Sequence, residues 1–364
     1  MILMNDFKRH AARFGSEIEL ALKRVIDSGW YILGKEVEAF EHEFAAYLGV
    51  PHAVGVGNGM DALQLALMAW NVGPGDEVIT TPNSAFATAL AIVRAGATPV
   101  FVDISERDYA LDPSKLAAAI TPRTRALMPV HIYGRAADLS ALEELALKHG
   151  LLLFNDACQA HGAGHRGRDI ASYGQASAYS FYPTKNLGAL GDGGMVVCAD
   201  AEKAAHLRML RDYGQAKRYQ HVAPGLNSRL DELQAAILRV KLAQLPAQTE
   251  RRRSIARRYL EGLAGAGLIL PEWDAEAVWH LFVVRTPRRD ALSTFLRERG
   301  VQSLVHYPVI IPEQPALARP YTRGSLPVAE HCASEFLSLP IDPELSDAEV
   351  DTVSRAVHAF FESA

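Results

Sequence analysis

Ser180-Phe-Tyr-Pro-Thr-Lys-Asn-Leu-Gly-Ala-Leu-Gly-Asp-Gly-Gly194 sets a single lysine, Lys185, between a β-rich run and a glycine-rich return. A lysine so placed is suited to form a Schiff base with an aldehyde. Upstream, Asn155-Asp-Ala-Cys-Gln-Ala-His-Gly162 ends the apolar run Leu151-Leu-Leu-Phe154, which puts Asp156 and Gln159 at the C-terminal end of a strand. Both are groups that a pyridine ring needs. Further upstream, Ala53-Val-Gly-Val-Gly57 runs through Asn58, Gly59 and Met60 into a helical pattern, a strand-to-helix turn whose free N–H groups suit a phosphate. Aldehyde, ring nitrogen and phosphate each have a partner, and the ligand that carries all three is pyridoxal 5'-phosphate.

Outward from these motifs, short β-rich runs at 53–57, 77–81, 98–103, 126–131, 151–155, 176–181 and 194–198 alternate with helical patterns at 61–70, 84–95, 112–120 and 139–149. Several of the runs are apolar throughout, as strands buried on both faces are, so the fold class is α/β with a mostly parallel sheet flanked by helices. A long helical stretch at 229–263, interrupted at Pro246, reads as the connection to a smaller α+β C-terminal domain. That domain holds a strand at 281–285, a helix at 290–299, a Pro-rich loop at 306–327 and a final helix opened by the capping-box signature Ser346-Asp-Ala-Glu349. The division predicted is a large cofactor-binding domain at 1–245, N-terminal segment included, and a small domain at 246–364.

The 37 basic and 42 acidic residues, net charge −5, are mixed along the chain and give no basic stripe for nucleic acid. Arg251-Arg-Arg253 with Arg257-Arg258 recurs at helical spacing and reads as a solvated helix face. No apolar run approaches the ~18 residues that span a bilayer. The three cysteines, Cys158, Cys198 and Cys332, are far apart and odd in number, which suits a reducing cytoplasm. A soluble, cytoplasmic protein is expected.

Each motif has a plainer reading. Gly55-Val-Gly-Asn-Gly59 spells G-x-G-x-G, one residue short of the dinucleotide fingerprint, and by itself could be a structural turn. Asp156 could simply cap the next helix; facing a pyridinium instead, it would keep the ring protonated as an electron sink. Lys185 needs a depressed pKa to act first as nucleophile and then as proton shuttle. His161 and His165 are four apart, but the segment between them is too rich in glycine to align them on a helix, and no metal site is expected.

Taken in order, the motifs resemble the DegT-like nucleotide-sugar aminotransferases, a family of fold-type I pyridoxal-phosphate enzymes. The resemblance runs through Ser28-Gly-Trp-Tyr-Ile-Leu-Gly34, Gly57-Asn-Gly-Met-Asp-Ala-Leu63, Gly73-Pro-Gly-Asp-Glu-Val78, Pro129-Val-His-Ile-Tyr-Gly134, the Asp156 and Lys185 motifs, Asn227-Ser-Arg-Leu-Asp-Glu-Leu-Gln234 and His306-Tyr-Pro308. By that similarity Lys185 is the attachment lysine, Asp156 pairs with the ring nitrogen and Gln159 lies near the ring hydroxyl. Gly59, Met60 and Ser180 hold the phosphate. Asn227 reaches the phosphate of a partner subunit, which implies a homodimer with shared active sites, and Tyr182, His306 and Tyr307 lie near the sugar. Two positions depart from the family's pattern. The aromatic residue that stacks on the ring falls at Ala85, with Phe86 one place later, so either could face the cofactor; and Pro312 stands where a second histidine is usual.

The resemblance implies a ping-pong transfer of an amino group from L-glutamate to a keto group of a nucleotide-linked 6-deoxy sugar, the cofactor alternating with pyridoxamine 5'-phosphate. The form of the 57–63 turn looks more like enzymes acting at C-3, with C-4 as the alternative. A same-fold sugar dehydratase carries histidine at the lysine position, against Lys185. A cofactor-binding regulator without turnover is the remaining alternative, and the intact Lys185, Asp156 and Gln159 speak against it.

Overall fold

The computed structural model describes residues 1–317 and 321–363. Its centre is a seven-stranded sheet: β1 (His52–Val56), β2 (Glu77–Thr80), β3 (Thr98–Phe101), β4 (Thr124–Met128), β5 (Leu152–Asp156), β6 (Ala176–Ser180) and β7 (Gly194–Cys198), in the order β1-β7-β6-β5-β4-β2-β3. The ladders β2·β3, β2·β4, β4·β5 and β5·β6 are parallel. β7 alone runs against both its neighbours, with Gly194 opposite Val56 on one side and Ser180 on the other. The sheet is therefore mixed, with a reversed strand that apolarity alone does not reveal.

Side chains alternate across the pleat, so both faces must be covered. Leu127, Leu153, Tyr179, Met195 and Val197 pack with Phe40 and Phe44 of the helix Lys35–Leu48 on one face. On the other, Ala126, Met128, Phe154, Ala178 and Val196 pack with Leu63, Leu65 and Leu67 of the helix Gly59–Ala69. A third core gathers Ile255 and Tyr259 of the helix Leu245–Gly262 with Val353 and Val357 of the helix Asp347–Glu362. It also takes in Phe282 and Val284 of β8 (Phe282–Arg285) and Leu337 and Leu339 of β9 (Phe336–Leu339), which pair antiparallel.

Several expected elements shift. The long stretch at 229–263 is two helices, Glu232–Leu242 and Leu245–Gly262; the break precedes Pro246, which sits in the first turn of the second, where a missing N–H costs nothing. The arginine cluster is not uniformly solvated. Arg252 is buried and donates to Ile341 O at 2.9 Å, whereas Arg251 and Arg258 pair with Asp347 and Asp351. The helix expected from residue 84 begins at Ala87, with Phe86 as its N-cap. The capping box at Ser346 and Glu349 forms as the sequence implies. Within the predicted Pro-rich loop, residues 318–320 lie outside the described residues. No helix among the described residues is long and apolar enough to cross a membrane.

Candidate active site

The C-terminal ends of β1, β5 and β6 converge on one region. β1 ends at Val56 and turns through Asn58, whose side-chain oxygen accepts the Asp61 N–H at 2.9 Å and so caps the helix Gly59–Ala69. The N–H groups of Gly59 and Met60, at the first helical positions, have no acceptor among the described residues. Ser228 Oγ accepts from Gly57 N–H at 3.0 Å and donates to Asp61 Oδ2 at 2.6 Å, fixing the turn from outside. A Cβ on Gly59 would stand 2.6 Å from Ser180 Cβ and 2.9 Å from Cys158 Sγ, so only glycine allows the turn to approach the end of β6.

At the end of β5, Asp156 is buried and doubly held. Thr88 Oγ1 donates to its Oδ2 at 2.7 Å and Cys158 N–H to its Oδ1 at 3.2 Å. Gln159 is buried beside it, accepting from Tyr133 N–H at 2.9 Å and donating to Tyr307 Oη at 3.1 Å. Burial, then the nearby Asp156 charge, keep the Tyr307 phenol far from ionising. The backbone carbonyl of His306 accepts from Tyr133 Oη, and its ring Nδ1 lies 2.8 Å from Ser338 Oγ.

Lys185 follows a turn closed by its own N–H on Tyr182 O at 2.8 Å. Burial pulls its ammonium below the ordinary lysine range, while the charges of Cys158 and Asp156 act in the other direction. Three imidazoles near this amine stay neutral. Burial and then Lys185 lower His161 to about 3 and His306 to about 4, and the same two causes put His280 well below its ordinary value. Ser180 O accepts from His161 Nε2 at 2.8 Å, while its Oγ accepts from Tyr182 N–H at 3.3 Å.

Of the residues expected from sequence, Gly59, Asp156, Gln159, Ser180, Lys185, His306 and Tyr307 come together here, with Met60 half-buried at the turn. Tyr182 is exposed. Asn227 is also exposed; it adjoins Ser228, and its side chain makes no hydrogen bond among the described residues. Ala85 and Phe86 are both half-buried. Thr88, Tyr133, Cys158, Ser228 and His280 were not singled out. Cys158 lies inside a quoted motif and could have been found there, but Thr88, 68 residues from Asp156, left no local signal.

The residues fit pyridoxal phosphate. Two unpartnered helical N–H groups and a glycine-only approach suit its phosphate, a doubly held carboxylate suits its ring nitrogen, and a lysine amine of depressed pKa suits its aldehyde. Fold and site together define a pyridoxal-phosphate-dependent aminotransferase. The chain belongs to the DegT/DnrJ/EryC1/StrS aminotransferase family, which it matches from residue 13 to residue 358. It is 51% identical over 361 residues to a dTDP-3-amino-3,4,6-trideoxy-alpha-D-glucose transaminase of Streptomyces venezuelae, covering 98% of this chain and 95% of the relative. It is 46% identical over 362 residues to a dTDP-3-amino-3,6-dideoxy-alpha-D-galactopyranose transaminase of Aneurinibacillus thermoaerophilus, covering 99% of both. Among solved structures, that of S. venezuelae DesV in complex with a ketimine intermediate superposes with a TM-score of 0.97 at 50% identity, covering 99% of this chain and 98% of that one.

Proposed function

We propose that this enzyme moves an amino group from L-glutamate to the C-3 keto group of a nucleotide-linked 6-deoxy sugar. The observation that carries the reading is the juxtaposition of Lys185 with Asp156 and Gln159 beside the Gly59 turn. The position of amination is supported by the two relatives whose names describe 3-amino sugars.

When bound, pyridoxal phosphate supplies an aldehyde to take up the amino group and a ring to accept the electrons released at the carbon that bears it. The protein's residues do the rest. Asp156, held by Thr88 and by Cys158 N–H, keeps a proton on the ring nitrogen. Lys185, its pKa lowered by burial, would take a proton from carbon and return it to the adjacent position. Gly59, Met60 and Ser180 bind the phosphate, and Tyr182, His306 and Tyr307 orient the sugar.

The working unit in this reading is a homodimer in which Asn227, exposed in the single chain, reaches the partner's phosphate. The free Cys158, Cys198 and Cys332 accord with a cytoplasmic setting. The test is to incubate the pyridoxamine-loaded enzyme separately with 3-keto and 4-keto isomers of a 6-deoxy nucleotide sugar and to locate the new C–N bond by NMR. Amination at C-3 is expected; a C-4 product with the 3-keto compound inert overturns the assignment.

A further inference from the structure

The residue next to Lys185 is tied to the C-terminal part of the chain through both ends of its side-chain amide. Asn186 Nδ2 donates to Val278 O at 2.9 Å, and its Oδ1 lies 3.0 Å from His280 Nδ1. A carbonyl can only accept, so the Val278 contact sets the amide's orientation. Oδ1 then faces the imidazole, and the ring must carry its hydrogen on Nδ1. Both side chains are buried.

The segment that carries His280 also holds the opposite flank of the site. Val278 N–H donates to Gly134 O at 2.8 Å and Leu281 N–H to Tyr133 O at 3.2 Å. Gly134 has φ +90°, and a Cβ there would lie 2.6 Å from His280 N, so the approach needs glycine. The N–H of Tyr133 is the donor that orients Gln159. From behind, the buried Arg252 guanidinium reaches Ile341 O at 2.9 Å and the carbonyls of Trp279 and His280 at 3.5 Å. One short segment thus grips the lysine side through Asn186 and the Gln159 side through Tyr133.

We propose that His280 and Asn186 are positioning residues for the reaction: the Nδ1–H···Oδ1 bond between them fixes where Lys185 stands relative to Gln159. The proposal rests on the reading of Lys185 as the attachment lysine. Neither residue need touch substrate, because the bond acts on the backbone that presents the lysine amine.

His280→Asn keeps an amide N–H close to where Nδ1–H stood, whereas His280→Gln moves its amide one methylene farther out. Borohydride reduction of the unsubstituted holoenzyme first maps the attachment site. Cofactor-free preparations of all three proteins are then loaded with pyridoxal phosphate while visible absorbance and visible circular dichroism are followed. His280→Gln is expected to attach cofactor about tenfold more slowly, with diminished circular dichroism and a comparable fall in kcat; its KM for nucleotide sugar should stay within about twofold, and His280→Asn should restore most of the loss. Where the Gln variant does not fold, Asn186→Asp, which replaces the donor to Val278 by an acceptor, is expected to show the same slow attachment. Unchanged attachment in His280→Gln or in Asn186→Asp, or equal losses in the Gln and Asn variants, overturns the proposal alone. An adduct on a lysine other than Lys185 overturns the functional reading and the proposal with it.

Discussion

Thr88 Oγ1 donates to Asp156 Oδ2, and Ser84 Oγ lies 2.9 Å from the same threonine oxygen. Since the Thr88 hydrogen is committed to the carboxylate, Ser84 must be the donor in the second contact, and the two hydroxyls form a one-way chain ending on Asp156. The chain polarises toward the carboxylate and holds it rigidly. Thr88→Val keeps the shape and removes the donor. A hydrogen bond to a charged group contributes about 1.5–3 kcal/mol, so turnover should fall by about 10- to 100-fold, with Thr88→Ser close to the unsubstituted enzyme. Steady-state kinetics at full cofactor occupancy measures it, and equal activity in the valine variant would count against a role for the chain.

Lys185→Ala should retain pyridoxal phosphate through the Gly59 turn and Asp156 yet lose the visible band of the lysine-bound cofactor. Borohydride should leave no adduct, and turnover should vanish. Mass spectrometry of the reduced, digested protein decides the matter; an adduct elsewhere, or normal transamination, removes Lys185 from its role.

Asn227→Ala should weaken cofactor retention. Mixed with Lys185→Ala subunits under conditions that allow exchange, it should recover activity, because one site of each mixed dimer then contains both an intact lysine and an intact asparagine. Activity no higher than that of either variant alone, with exchange verified by native mass spectrometry, would falsify the shared site.

Asp169 caps the short turn at Ile170–Ser172 by accepting Ala171 N–H at 2.8 Å, and burial raises its pKa to about 7. An unfolded aspartate titrates near ~3.9. From about pH 4 to 7 the unfolded chain loses this proton while the folded one keeps it, so stability falls as pH rises and the cost is complete above about 7. Asp169→Asn retains the acceptor without the charge. Allowing for partial exposure, it should be more stable than the parent by about 1–2 kcal/mol at pH 8 and equal to it near pH 4. Urea unfolding at the two pH values tests this, and a variant less stable at pH 8 would refute it.

The three motifs proposed to anchor the cofactor stood out in the sequence because each lies on one contiguous stretch where strand, turn and residue type coincide. The apolar runs revealed the sheet for the same reason. The reversal of β7 left no trace in the sequence, since Gly194-Met-Val-Val-Cys198 is equally apolar whichever way it runs. The helix Ala201–Leu210 buries only Ala204, Leu207 and Leu210, too thin a stripe to stand out among its charged neighbours. Contacts such as Thr88 to Asp156, or His280 to Asn186 across 94 residues, depend on tertiary packing that no local pattern encodes.

Gly194, paired with Val56 and with Ser180, is the rung that joins the strand before the Gly59 turn to the strand before the lysine loop. Its added Cβ would fall 2.3 Å from Asn58 O, so the rung has no room for a side chain. The strand leading to the phosphate turn and the strand leading to the lysine loop are separated by two ladder spacings, about 10 Å, a distance that loop substitutions cannot adjust. The sheet works as a caliper. On the proposed reading, an aldehyde without the phosphate would keep the lysine loop at one end and lose the groups of Gly59 and Ser180 at the other.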